Sequence, residues 1–122
     1  MSNYALGGEL MDKDIQEEIV PIVIDLGMAR RKDLSESSLR QFGAWVEIIL
    51  GRMFGGARIP VTVKGSSGEI KSFANTLQKE KRYIEAFNKY GLDNPQTHAS
   101  RSKLNNAVSN FERSTGLKWP FK

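Results

Sequence analysis

At 122 residues, 39% of them hydrophobic and 26% charged, the chain suits one domain that buries roughly two thirds of its unfolded surface. The composition is that of a globular protein, not a disordered one. The absence of cysteine excludes disulfides, thiolate metal sites and cysteine nucleophiles.

The formal charge of +4 is unevenly placed, with 7 Lys/Arg against 9 Asp/Glu in residues 1–60 and 11 against 5 in residues 61–122. A basic C-terminal half suits an acidic partner such as nucleic acid or an acidic protein surface, and equally a set of Lys-rich solvated helix faces. The longest apolar runs fall far short of the roughly 18 residues that span a bilayer. The opening MSNYALGGELMDKD has no basic region followed by an apolar run, so it does not read as a signal peptide.

Residues 1–11 hold Gly7 and Gly8 and show no sustained period, which predicts an irregular arm. Tyr4, Leu6, Leu10 and Met11 are more apolar than a solvated tail requires. Tyr4 and Leu6 are therefore candidate contacts, on the chain's own core or on a neighbour. Asp12 or Asp14 suits a helix cap, with Glu17 and Glu18 near the positive end. Ile15, Ile19, Ile22, Val23 and Leu26 keep helical spacing to about residue 26, and Pro21 should kink the helix. The competing assignment is a short helix to Val20 and a buried strand PIVID, because β-branched residues dominate there. The kinked helix is the preferred expectation. Gly27 ends it and MARRK follows as a basic turn.

Asp33 or Ser35 opens a second helix that runs to about Phe54. Leu39, Phe42, Val46, Ile49 and Met53 share one face, and Trp45, Ile48 and Leu50 extend it almost all round. Gly43 and Gly51, eight residues apart, share a face and could let another helix approach closely, at a cost of roughly 1 kcal/mol each in helix propensity. After Gly55-Gly56, the stretch RIPVTVK alternates weakly and contains Pro60, so residues 57–65 read as an extended connector or an edge strand.

The strongest helix signal spans Ser66 to Leu92. Ser66 and Glu69 form an S-x-x-E capping box, Gly91 stops the helix, and Leu92 can fold back on its last turn. Ile70, Phe73, Leu77, Ile84 and Phe87 make its apolar stripe, interrupted at Glu80. Asn94 and Pro95 then suit the cap and first residue of a final helix to about Ser114, with Leu104, Ala107, Val108 and Phe111 inward and Gly116 as its stop. The tail LKWPFK carries Trp119 and Phe121. Each can bury about 150–250 Å², so they either dock on the domain or anchor a partner.

Catalytic and cofactor motifs are missing from the chain. His98 is the single histidine, which leaves metal clusters and a Ser-His-Asp arrangement little to work with. The carboxylate pairs Asp12/Asp14 and Glu17/Glu18 fit helix N-terminal electrostatics. There is no G-x-x-x-x-G-K-[ST] loop and no G-x-G-x-x-G. No catalytic residue, metal, cofactor or small-molecule substrate is therefore expected.

Nucleic-acid contact has more material. Lys71, Asn75, Gln78, Arg82 and Lys89 follow one polar stripe of the principal helix, with Lys79 and Lys81 beside it. Lys103, Asn106, Asn110 and Arg113 follow another on the last helix. Against this, Glu85 and Lys89 are spaced for an ordinary surface pair.

From about residue 66 onward the run EIKSFANTLQKEKRYIEAFNKYGLDNPQT, closing on FERSTGLKWPFK, resembles small proteins encoded by tailed bacteriophages. The resemblance implies a virion component or a host-modifying accessory protein, located in the particle or in the host cytoplasm, and carries no residue roles.

The expectation is thus one all-α domain of about four helices. It comprises an arm at 1–11, two helices in 12–54, two in 66–116, and an aromatic tail at 117–122. Its expected core is Leu39, Phe42, Val46, Ile49, Ile70, Phe73, Leu77, Ile84, Phe87, Leu104, Val108 and Phe111. The expected function is assembly or adaptation through protein contacts or self-association, with the tail and arm as contact candidates. Nucleic-acid binding by the basic faces of the last two helices is the alternative.

Overall fold

A computed structural model of the chain describes residues 21–55 and 61–121. In order they form strand β1 (Ile22–Asp25), helix α1 (Glu36–Gly55), strand β2 (Val61–Lys64), helix α2 (Ser67–Tyr90) and helix α3 (Pro95–Thr115). The architecture is mostly helical, as expected, but it includes a parallel strand pair that an all-α bundle lacks. The arm with Tyr4 and Leu6, and the helix start at Asp12–Ile19, lie outside the described residues.

The kinked-helix assignment for residues 21–26 is overturned. Ile22 to Asp25 pair in parallel register with Val61 to Lys64, and Leu26 N donates to Lys64 O at 2.8 Å to extend the ladder. Both segments are rich in β-branched residues, which favour a pleated, half-buried surface over a helix. Ile22 and Ile24 are buried while Val23 is exposed, the two-residue alternation of a strand with one face on a core. A parallel pair needs a long crossover, and α1 supplies it.

The helix ends follow the sequence closely. Ser66 Oγ accepts from Glu69 N at 3.2 Å, and Glu69 Oε1 accepts from Ser66 N at 2.8 Å, closing the capping box. Ser35 Oγ accepts from Ser38 N at the start of α1, and Asn94 Oδ1 accepts from Gln96 N at the start of α3. The α2–α3 turn is tied by Thr97, whose buried hydroxyl donates to Gly91 O at 2.7 Å. Midway along the pair, the Thr76 hydroxyl donates to Ser72 O at 2.7 Å and reaches Ala107 O across the interface at 3.2 Å.

The core is drawn from β1 and the turn after it, from the three helices and from the tail, with Val63 of β2 partly buried against it. Ile22, Ile24, Leu26 and Met28 pack with Phe42, Val46 and Ile49 of α1, Phe73 and Leu77 of α2, and Leu104, Val108 and Phe111 of α3. Leu117 and Trp119 close it from the C-terminal side. At its centre Phe111 lies 6.3 Å from Phe42, 6.1 Å from Phe73 and 5.2 Å from Trp119 between ring centroids. The Trp119 contact is edge-on, a geometry aromatic pairs prefer to a direct sandwich.

Two expected core residues are corrected. Leu39 is 40% and Phe87 45% exposed, while Ile70 and Ile84 are only half-buried. The inward face of α2 carries Glu69, Thr76 and Glu80, three polar residues that are buried because each has a partner, and Phe87, seven residues beyond Glu80 on that face, is exposed near the end of the helix. Gly43 has Pro120 Cβ 3.6 Å from where its own Cβ would stand, and Gly51 faces open space. The two glycines therefore do not form a common close-packing seam.

The turn after β1 closes as a Schellman motif, with Lys32 N donating to Ala29 O and Asp33 N to Met28 O. It places Lys32 at φ +58, a left-handed conformation that side chains disfavour. The same turn packs on the end of α3, where Gly116 is left-handed at φ +76 and an added Cβ would stand 2.9 Å from Ala29 Cβ. Opposite glycine effects follow. Gly116→Ala should cost about 1–3 kcal/mol, and Lys32→Gly should be neutral or stabilising by up to about 1 kcal/mol. Urea melts of both variants test this, and an unchanged midpoint for Gly116→Ala would refute the close approach to Ala29.

Candidate functional site

The last helix and the tail build a concave region against α2. Gly116 caps α3, its N–H donating to Glu112 O. The Thr115 hydroxyl donates to Phe111 O and accepts from Leu117 N. The chain is thereby turned back along the helices, and Trp119 N donates to Glu112 Oε2 at 2.9 Å. The indole then lands over α2, and its Nε1–H donates to Glu80 Oε1 at 2.8 Å. Glu80 is 5% exposed and Trp119 3%.

Beside this bond lies a pocket of about 280 Å³, bordered by Glu80 and Tyr83 of α2, Arg101 and Asn105 of α3, and Trp119 and Phe121 of the tail. Concave, largely aromatic walls with a few converging polar groups are the usual make-up of a binding site. The tail's two aromatics are divided by the structure. Trp119 belongs to the core, whereas Phe121 is 39% exposed and stacks edge-on against it at 6.2 Å. Glu80, Tyr83, Arg101 and Asn105 were not singled out from sequence. The available signal was Glu80 itself, an acid in phase with Phe73 and Leu77, which a buried helix face admits only with a donor opposite.

The expected nucleic-acid residues are all on the outside. Lys71, Arg82 and Lys89 on α2 and Lys103, Asn106, Asn110 and Arg113 on α3 are exposed, each set opposite its helix's buried face. Arg113 donates to Asn110 Oδ1; otherwise, no hydrogen bond or ion pair joins members of the set among the described residues. Glu85 pairs with Lys81 at 2.7 Å, not with Lys89, whose ammonium instead lies over the Tyr90 ring at 5.2 Å. These side chains form solvated stripes, and Arg82 also borders, with Met53, Gln78, Lys81 and Glu85, an open depression of about 400 Å³.

A second polar group gathers at the C-terminal end of the strands. Asp25 accepts from Gly27 N and pairs with Arg31. Arg30 reaches across to α2 and forks onto Glu69, with Nε–Oε2 at 2.9 Å and Nη2–Oε1 at 3.0 Å. These charges satisfy one another and fasten the basic turn to the start of α2. Among the described residues no three His, Asp or Glu side chains converge to hold a metal ion, and no helix is long and apolar enough to cross a membrane.

The two buried glutamates are driven in opposite directions. The Arg30 guanidinium, helped by Ser66, holds Glu69 below the ordinary carboxylate range against its own burial. Burial pushes Glu80 above that range, with only the Trp119 N–H opposing.

Comparison with family models, curated proteins and solved structures gives no significant match for this chain.

The opposed shifts fix opposite pH dependences. Both carboxyls start from an ordinary value of 4.5. Glu69 stabilises the fold above that value and loses its contribution as pH falls through its lowered one. Glu80 stabilises below it and loses its contribution as pH rises through its raised one. Glu69→Gln should therefore weaken the protein most at neutral pH. Glu80→Gln keeps an acceptor for Trp119 and should be more stable than the parent at neutral pH, with the gain vanishing in acid. Melting temperatures measured from pH 3 to 8 check both signs, and parallel profiles for the two variants would contradict the assignment.

Proposed function

We propose that the protein is a non-enzymatic assembly or adaptor protein, acting through protein contacts made by the aromatic end of α2. The observation that supports this most directly is the exposure there of Phe87 at 45%, Tyr90 at 42% and Leu92 at 54%. Tyr83, Phe87 and Tyr90 follow each other at four and three residues along one face, and Tyr83 and Phe87 are stacked at 6.4 Å. Tyr83 also borders the pocket that Phe121 rims, so the aromatic surface runs on to the tail. Grouped apolar side chains rimmed by polar ones mark protein-contact surfaces more often than they mark ordinary solvent faces, and aromatic residues are the usual anchors of such contacts. The resemblance of residues 66–122 to small tailed-phage proteins fits this reading, with the partner belonging to a virion or to the infected host.

The informative variants are Phe87→Ser and Tyr90→Ser, because both positions are outside the core and their loss should leave the melting temperature nearly unchanged. Trp119→Ala is unsuitable as an interface test, since it removes a core ring at about 3–5 kcal/mol and strands Glu80. Sedimentation velocity over a range of protein concentrations, with cross-linking to partners in the native setting, should show association in the parent and its loss in Phe87→Ser. Association of equal strength in both proteins would refute the assignment of this surface.

The exposed basic stripes support a second reading, nonspecific phosphate contact with nucleic acid. It predicts duplex-DNA binding that weakens linearly on a log–log plot against salt, and that Arg82→Glu with Arg113→Glu abolishes. Unchanged binding in that double variant would exclude the stripes as the contact.

A further inference from the structure

We infer that the pocket between α2, α3 and the tail is a binding site for an alkylammonium or guanidinium group, received by Glu80 among aromatic faces. The inference goes beyond the protein-contact reading and stands on the pocket alone.

Glu80 is a carboxylate only 5% exposed that borders a pocket of about 280 Å³. One oxygen, Oε1, accepts the Trp119 indole N–H. Among the described residues no hydrogen bond reaches Oε2, and no cation lies within ion-pair distance of the side chain. A single neutral donor is poor compensation for a buried acid, whose transfer out of water is costly unless a charge answers it. The charged group nearest to that task is Arg101, which borders the same pocket from α3. Arg101 is exposed and forms no ion pair with Glu80. It is free to swing into solvent, which reduces but does not remove its repulsion of an entering cation.

The walls suit the same occupant. Tyr83, Trp119 and Phe121 all border the pocket, and the Trp119 and Phe121 rings meet edge-on, so rings of differing orientation surround it. A cation over such rings gains from their quadrupoles, more so once desolvated. A carboxylate backed by aromatic faces thus offers a charge-assisted hydrogen bond and a ring contact at once. A neutral ligand of the same shape would leave the acid unanswered. The chemistry is shared by a free organic amine and by a Lys or Arg side chain of a polypeptide.

The full chain, carrying Trp45→Phe so that Trp119 gives the one indole N–H signal, is titrated by NMR. Three probes are used: phenethylammonium, an acetylated and amidated Gly-Arg-Gly peptide, and the neutral phenethyl alcohol. Saturable movement of the Trp119 signal with either cation, and none with the alcohol, is the expected result. Phenethylammonium alone would assign the site to free amines, and the peptide to polypeptide side chains. Glu80→Gln preserves the Trp119 bond and the fold, and should weaken cation binding by about tenfold or more. Arg101→Gln should leave it equal or tighter. The inference is overturned if neither cation binds, if the alcohol binds as well, if Glu80→Gln binds undiminished, or if Arg101→Gln abolishes binding. The last result would mean that an anion is what the pocket reads. Phe87→Ser should leave the titration unchanged, which separates the outcome here from that of the protein-contact reading.

Discussion

Trp119 is the piece on which the rest of the structure depends, because it is where the chain's last residues become part of its core. Its ring packs edge-on against Phe111 and Phe73, its main-chain N–H is held by Glu112, and its indole N–H is held by Glu80. Three independent attachments on two helices leave the tail little freedom once α2 and α3 are paired. The dependence runs the other way too. Without the indole, Glu80 would be an acid facing an apolar interior with no donor, and Phe111 would lose its nearest ring. In a domain whose total stability is expected at about 5–15 kcal/mol, removing that one side chain takes away a sizeable fraction.

The two buried glutamates show how the same residue type acquires different consequences. Glu69 lies at the first turn of α2, where it closes the capping box and meets a forked guanidinium from the turn after β1. Backbone N–H and cation together answer its charge, so its burial fastens two elements. Glu80 lies eleven residues further along the same helix, where the only answer among the described residues is a neutral indole. One acid is complete and structural. The other retains, among the described residues, an unanswered oxygen beside a space of about 280 Å³, and that contrast makes the pocket beside Glu80, not the ion-paired turn, the place to look for binding.

The legible parts of the fold were those written in local chemistry. The Ser66/Glu69 box, the Asn94-Pro95 start, and the Gly91 and Gly116 stops each act within a few residues, and each is found where spacing placed it. The strand at Ile22–Asp25 was not legible in the same way. Its apolar residues fit a helical period as well as an extended one, and what decides between them is Val61–Lys64, a partner almost forty residues away across a helix. Within α2 the apolar spacing places Phe87 inside and reads Glu80 as an interruption, for a related reason. The donor that makes Glu80 an inside residue belongs to the tail, and no periodicity within the helix reports it. The basic stripes were located correctly on the outside, but exposure alone assigns them no ligand.

The exposure of Phe87 and Tyr90 follows from the lengths of the elements. Helix α2 has 24 residues, about 36 Å at the usual rise, while each strand has 4, about 13 Å. A strand layer that short covers one end of a long helix and cannot reach the other, while the end of α1 meets α2 at Gln78, Lys81, Arg82 and Glu85. At the covered end the inward residues are Phe73, Thr76 and Leu77, all buried. Further along, the same face continues as Tyr83, Phe87 and Tyr90, with α3 on one side and nothing from the described strands to meet it. A helix built only to complete this core could have carried polar residues beyond Glu80, or ended there. It carries stacked aromatics instead, and burial of those rings in the proposed protein contact would lower the free energy of the whole.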